Sequence, residues 1–173
     1  MSRFVALLRA INTPPRHVKM DRLRSIVEEA GFENVATFIA SGNVIFDAPE
    51  SDDIIERLER ALSDGLGFEV PVFLRTAAEI VAVASLRPFG DVEDNLEISF
   101  LQAAPNPEDA ERLMAAANGS DRLVVTDREV YWSHVGPRST SDHSEARVVR
   151  MLGVQTTQRS AGTVRRIADR YCR

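Results

Sequence analysis

A chain of 173 residues that is 44% hydrophobic and 27% charged has ordinary globular proportions, enough to bury a core as one large domain or two small ones. No apolar run reaches the length of a membrane span and no basic-then-apolar leader opens the chain, so neither a membrane partner nor a secretory signal is expected. The one cysteine, Cys172, excludes an intrachain disulfide and a cysteine-based metal site, and a reducing cytoplasm is the expected compartment.

Residues 4–9 form an apolar run rich in strand formers that stops before Asn12-Thr13-Pro14-Pro15, where proline forbids a helix. From Met20 the spacing turns helical, with Leu23, Ile26, Val27 and Ala30 on one face and Gly31 as a stop. Residues 35–39 and 44–46 read as two strands joined through Ala40-Ser41-Gly42-Asn43, a tight hairpin. A second helix, capped by Ser51 or Asp53, repeats apolar residues at Ile54, Leu58, Ala61 and Leu62 before Gly65 and Gly67. A fourth strand at 70–75 completes βαββαβ, and its Pro71 predicts an edge position. The first and fourth strands are apolar on both faces, which predicts a sheet with helices on one face and the other half of the protein on the other.

Thr76-Ala77-Ala78-Glu79 is a capping box that opens a short helix. Residues 87–94 are the expected linker between a first half, 1–86, and a second, 95–173. The second half reads as a strand at 96–101, a helix begun by Asn106-Pro107, and a hairpin of 123–126 with 130–134. Two closing helices follow, near 145–152 and 163–171. The expected fold is therefore α+β, two ferredoxin-like halves, βαββαβ followed by a divergent βαββαα. The duplication rests on element order, because no residue-level identity between the halves supports it.

Two amino-terminal segments carry a family resemblance. Leu7-Leu8-Arg9-Ala10-Ile11-Asn12 resembles the "LLRGIN" opening, and Ile39-Ala40-Ser41-Gly42-Asn43-Val44 the "IQSGNV" hairpin, of the bacterial family called domain of unknown function 1697. Val18-Lys19-Met20, Gly67-Phe68-Glu69-Val70-Pro71-Val72, Arg75-Thr76, Pro88-Phe89 and Gly153-Val154 are supporting matches. Ala10 and Ala40 depart from the family's Gly and Gln, and Arg159-Ser160-Ala161-Gly162-Thr163 replaces its carboxyl-terminal "RNWNT". The resemblance implies a tandem ferredoxin-like fold in a bacterial cytoplasmic protein, and no established activity.

Functional candidates come from topology. In a sheet of order 4-1-3-2 the end of the first strand, the second-to-third-strand turn and the start of the first helix share one rim, which brings Arg9, Asn12, Ser41, Gly42 and Asn43 together. Arginine, short polar side chains and a helix amino terminus suit a phosphate or carboxylate. A secondary candidate is the hydroxyl-rich loop with Arg138, Ser139 and Thr140, which lacks the spacing and lysine of a P-loop. His17, His134 and His143 have no metal-binding spacing, and no nucleophile motif occurs, so no catalytic residue, metal or cofactor is expected.

The leading expectation is a non-catalytic binding protein with a small-anion or nucleotide-like ligand at that rim. An enzyme acting on an anionic small molecule, with Arg9, Arg75 or Arg138 stabilising charge, is the alternative. The third reading, nucleic-acid binding, rests on residues 138–173, which carry +5 and leave −10 to the rest of a chain of net charge −5. That acidic total, and Phe4 and Phe46 being the only aromatics on the first and third strands, count against a nucleic-acid partner.

Overall fold

The structure is a computed structural model that describes residues 1–90 and 95–173. The chain divides into two compact units, residues 1–83 with 166–173, and residues 84–165. The change of unit falls just ahead of the expected linker, 87–94, whose last four residues lie outside the described ones. The carboxyl-terminal turn, although last in sequence, groups with the first unit.

In the first unit β1 (Ser2–Leu8), α1 (Met20–Glu29), β2 (Glu33–Phe38), β3 (Asn43–Ala48), α2 (Ile54–Leu66) and β4 (Val72–Thr76) make an antiparallel sheet of order β2-β3-β1-β4. Alternation sorts the side chains of β1. Phe4, Ala6 and Leu8 join Val44, Phe46 and Val72 in a core closed by Leu23, Ile26 and Val27 of α1 and Ile54, Leu58 and Leu62 of α2. Val5, Leu7, Ile45 and Phe73, on the opposite face, are also buried, as strands apolar on both sides require. Phe4 and Phe46 stack within the core at 5.9 Å between ring centroids and are not displayed. Gly67 adopts φ 80° and closes α2. Gly65 remains inside that helix, where a Cβ would come within 2.7 Å of Ile26. The capping box forms as expected at α3 (Ala77–Ser85). Thr76 N–H donates to Glu79 Oε2 at 2.7 Å, and Glu79 N–H to Thr76 Oγ1 at 3.2 Å.

The second unit contains β5 (Glu97–Leu101), α4 (Pro107–Ala115), β6 (Asp121–Val125), β7 (Glu129–His134), α5 (Glu145–Leu152), β8 (Thr156–Ser160) and α6 (Ala161–Ile167) as far as Arg165, with sheet order β6-β7-β5-β8. Asn106 caps α4 by accepting Glu108 N–H at 2.9 Å, and Ser144 caps α5 by accepting Arg147 N–H at 3.1 Å. Leu101, Leu113, Val130, Val148 and Leu152 form a core between sheet and helices.

The expected ending, βαββαα, is corrected by β8, which pairs antiparallel with β5 and gives this half the same βαββαβ order as the first. Thr156-Thr157-Gln158-Arg159-Ser160 has no apolar alternation to announce a strand, yet Thr156, Thr157 and Arg159 are buried by pairing and packing. Register then exposes a residue-level duplication. Arg75 of β4 stands opposite Val5 and Arg159 of β8 opposite Ile98, and both arginines are buried, 2% and 7% exposed. Each donates from Nη1 to the carbonyl of the residue before it, Leu74 at 2.9 Å and Gln158 at 2.8 Å. Each precedes a hydroxyl residue that caps the next helix. Thr76 accepts Glu79 N–H, and Ser160 accepts Thr163 N–H at 3.2 Å. Burial lowers the Arg159 guanidinium to about 10, with Glu145 opposing the fall.

Candidate functional site

β1 ends, and β3 and β4 begin, at one rim of the first sheet. Leu8 N–H donates to Gly42 O at 2.8 Å and Arg9 N–H to Pro71 O at 3.2 Å, so the loop after β1 starts tethered to both neighbouring strands. Gly42 has φ 81°, and a Cβ there would lie 2.6 Å from Ile11 Cγ2 and 3.1 Å from Leu8 Cβ. Only glycine meets both demands.

Asn12 fastens the loop to the hairpin. Its Oδ1 accepts Val18 N–H at 2.6 Å, while Nδ2 donates to Ala40 O at 2.6 Å and Val18 O at 3.3 Å. Asn43, fully buried, donates from Nδ2 to Phe38 O and to Ser41 Oγ, both at 2.9 Å. Asn12, Gly42 and Asn43 thus shape the rim from inside, whereas Arg9 is half-buried and Ser41 exposed. The intervening segment, 9–19, adds exposed Arg16, His17 and Lys19 and contains no carboxylate, on a chain whose net charge is −5. It runs into α1, whose N-cap residue, Lys19, supplies no side-chain cap. Asp21 in the first helical turn is turned to Arg24 at 2.9 Å. Arg16 lies 4.1 Å from the centroid of the Phe68 ring. Segment 9–19 therefore carries Arg9, Arg16 and Lys19 into a helix start that has no side-chain cap.

The second unit holds a different polar cluster. Hairpin register sets Asp121 of β6 directly across from His134 of β7. Asp121 Oδ1 meets His134 Nδ1 at 2.7 Å and accepts Trp132 Nε1–H at 2.9 Å and Ser141 Oγ–H at 2.8 Å, and Oδ2 accepts Asp142 N–H at 3.2 Å. Burial raises the carboxyl pKa, but the hydrogen bonds from Trp132, Ser141, His134 and Asp142 outweigh it and leave Asp121 below the usual carboxylate range. His143 stacks on Trp132 with centroids 4.6 Å apart, and its ring nitrogens are buried without a hydrogen-bond partner among the described residues. Burial lowers its pKa to about 4; Asp121 opposes this and Arg147 adds to it.

Of the secondary candidates, Arg138 pairs with Glu97 and lies 5.5 Å from the Trp132 ring, and Ser139 is exposed. Thr140 Oγ1 stands 3.0 Å from His134 Nε2. Hydroxyl, imidazole and carboxylate are therefore in the order that nucleophilic catalysis uses. Their hydrogen bonds run elsewhere. Thr140 Oγ–H donates to Pro137 O at 2.7 Å, and His134 Nε2 faces that carbonyl at 2.9 Å. The N–H groups of Thr140 and Ser141 donate to Pro137 O and Arg138 O, each at 3.0 Å. The cluster pins the turn after β7. Asp121 and His134 carry no sequence spacing of their own, and only the register of the β6–β7 hairpin brings them together.

Three of the arginines of residues 138–173 are engaged within their own units. Arg147 donates to Asp142 O and Ala116 O, Arg159 is buried, and Arg173 pairs with Asp169 at 2.8 Å. Among the described residues no helix is long and apolar enough to cross a membrane, and no group of three or more His, Cys, Asp or Glu side chains is placed to hold a metal ion.

Residues 1–131 match the model of the family described as protein of unknown function (DUF1697). The chain belongs to that family. The match takes in both amino-terminal motifs of the rim and extends through β5, α4 and β6 into β7. Among solved structures the chain is similar to the one titled "The structure of conserved bacterial protein SP0830 from Streptococcus pneumoniae". The two share 19% identity with a TM-score of 0.79 over 97% of each chain. At that identity the likeness speaks for the tandem fold alone. No curated protein matches the chain.

Proposed function

We propose that this DUF1697 protein is a non-catalytic binding protein for a small anion, held at the rim where the β1–α1 loop meets the β2–β3 turn. The observation that carries the reading is the carboxylate-free segment 9–19, with Arg9, Arg16 and Lys19, ending at a helix start that lacks a side-chain cap. An acidic chain that gathers cations in a loop fixed by three Asn12 hydrogen bonds favours an anion there at little ordering cost. Arg9 and Lys19 supply charge, Ser41 a hydroxyl, and the first N–H groups of α1 the remaining donors.

The enzyme reading lacks comparable support. Arg75 is 2% exposed, and Arg138 is engaged by Glu97. Thermal melting in phosphate, sulfate and citrate against chloride of equal ionic strength tests the proposal. The wild type should gain several degrees with millimolar phosphate, and Arg9→Ala and Lys19→Gln should each lose most of that gain. Equal shifts in all three proteins would remove the rim as the site.

A further inference from the structure

On the face of the first sheet opposite α1 and α2, at the turn end of edge strand β2, the carboxyl-terminal segment builds a second feature. Phe38 pairs with Asn43, one residue beyond Val44, so alternation places its ring on the face away from the helices. The Arg166 guanidinium lies 5.3 Å from the centroid of the Phe38 ring, Tyr171 meets Phe38 edge-on at 6.0 Å, and Arg170 lies 5.3 Å from the Tyr171 ring. Phe38, Arg166, Asp169 and Arg170 line an open depression of ≈ 400 Å³, a volume suited to a small ligand.

The charge there is unbalanced. Asp169, the one carboxylate in the lining, accepts Arg173 Nε–H at 2.8 Å. Arg166 and Arg170 are exposed, one helical turn apart, and hold no carboxylate among the described residues. A guanidinium stacked on a ring keeps its N–H fork directed outward, ready for a phosphate or carboxylate, and gives up little rotamer freedom on binding.

We propose that this depression binds a nucleoside monophosphate, with the base against Phe38 and the phosphate on Arg166 and Arg170. A bare anion would leave the aromatic wall unused, and an uncharged aromatic would leave two cations unmatched. Base and phosphate together use both. The site is separate from the β1–α1 rim, and its test is read from Phe38, Arg166 and Arg170, residues that the rim reading does not use.

Calorimetric titration of the full chain with AMP, adenosine and ribose 5-phosphate, repeated on Arg166→Gln, Arg170→Gln and Phe38→Leu, decides the matter. AMP should bind more tightly than either fragment. Either arginine substitution should weaken AMP by about tenfold, the scale of one charge-assisted hydrogen bond. Phe38→Leu should weaken AMP and adenosine but leave ribose 5-phosphate unchanged. The arginines are exposed, so unchanged melting temperatures show that those variants fold, and the same losses should appear when each substitution is made on a Lys19→Gln background, in which the rim is weakened. No AMP binding at millimolar concentration, equal affinity for AMP and ribose 5-phosphate, or equal affinity in wild type and both arginine variants would overturn the proposal. So would binding of a short oligoadenylate without any binding of AMP.

Discussion

Replacing Asp121 is the sharpest test of how the second unit is held together. Its carboxylate gathers Trp132, His134, Ser141 and the Asp142 N–H at 2.7–3.2 Å, and it is 9% exposed. Asp121→Ala strands the Trp132 N–H and the His134 ring in an interior from which water is largely excluded. Removing one partner of a buried, hydrogen-bonded charge costs about 3–5 kcal/mol. Asp121→Asn keeps the volume and one acceptor but loses the charge and turns an amide N–H toward donors, for a cost of about 2–3 kcal/mol. Trp132, the chain's one tryptophan, touches the substituted group, so its emission during urea unfolding follows this unit directly. The acid limb gives a second readout. A carboxyl whose folded pKa is lowered stabilises the fold above the unfolded value, near 3.8, and that contribution disappears as pH falls through the lower folded value. Wild type should therefore lose stability below about pH 4 that Asp121→Asn does not lose. A change under about 1 kcal/mol in both variants, with unaltered Trp132 emission, would refute the hub.

Three further outcomes follow from the same geometry. Gly42→Ala places a Cβ 2.6 Å from Ile11 at φ 81° and should cost about 2–4 kcal/mol in thermal or urea unfolding, the sum of a left-handed penalty and overpacking. The His143 ring, followed by NMR, should titrate near pH 4, against the ordinary 6.5. Since the unfolded chain takes up that proton first, stability should fall as pH drops through 6.5 and level off below about 4, and His143→Phe, which keeps the Trp132 stack, should abolish that slope. Asn12→Ala removes three hydrogen bonds and should lower stability by about 2 kcal/mol, with the amide signals of 13–19 broadening first.

The sequence declared those parts of the fold that rest on local periodicity. Leu23, Ile26 and Val27 announced α1, Gly67 closed α2, and Thr76 with Glu79 announced α3, because each signal lies within a few residues of the structure it specifies. β8 was silent because its burial comes from pairing with β5, a relation that Thr156-Thr157-Gln158-Arg159-Ser160 does not display. The duplicated arginines were likewise hidden. Arg75-Thr76 and Arg159-Ser160 share two short positions within strands of otherwise different composition, and only register aligns them.

The candidate site was legible in outline. Arg9, Asn12, Ser41, Gly42 and Asn43 do lie on one pair of tethered loops, but side-chain direction could not be read. Asn12 and Asn43 turn inward to bond backbone, and the cations of 16–19 take their place on the outside. The Asp121 and His134 pair escaped because it spans a hairpin whose register was unknown until the strands were placed.

The central claim, an anion at the β1–α1 rim, is tested most directly by titrating phosphate into ¹⁵N-labelled protein at constant ionic strength. The account predicts saturable amide shifts at residues 9–22 and 41–43, reduced at least several-fold in affinity by Arg9→Ala. Shifts that are absent, that do not saturate, or that saturate only at residues elsewhere in the chain would contradict it.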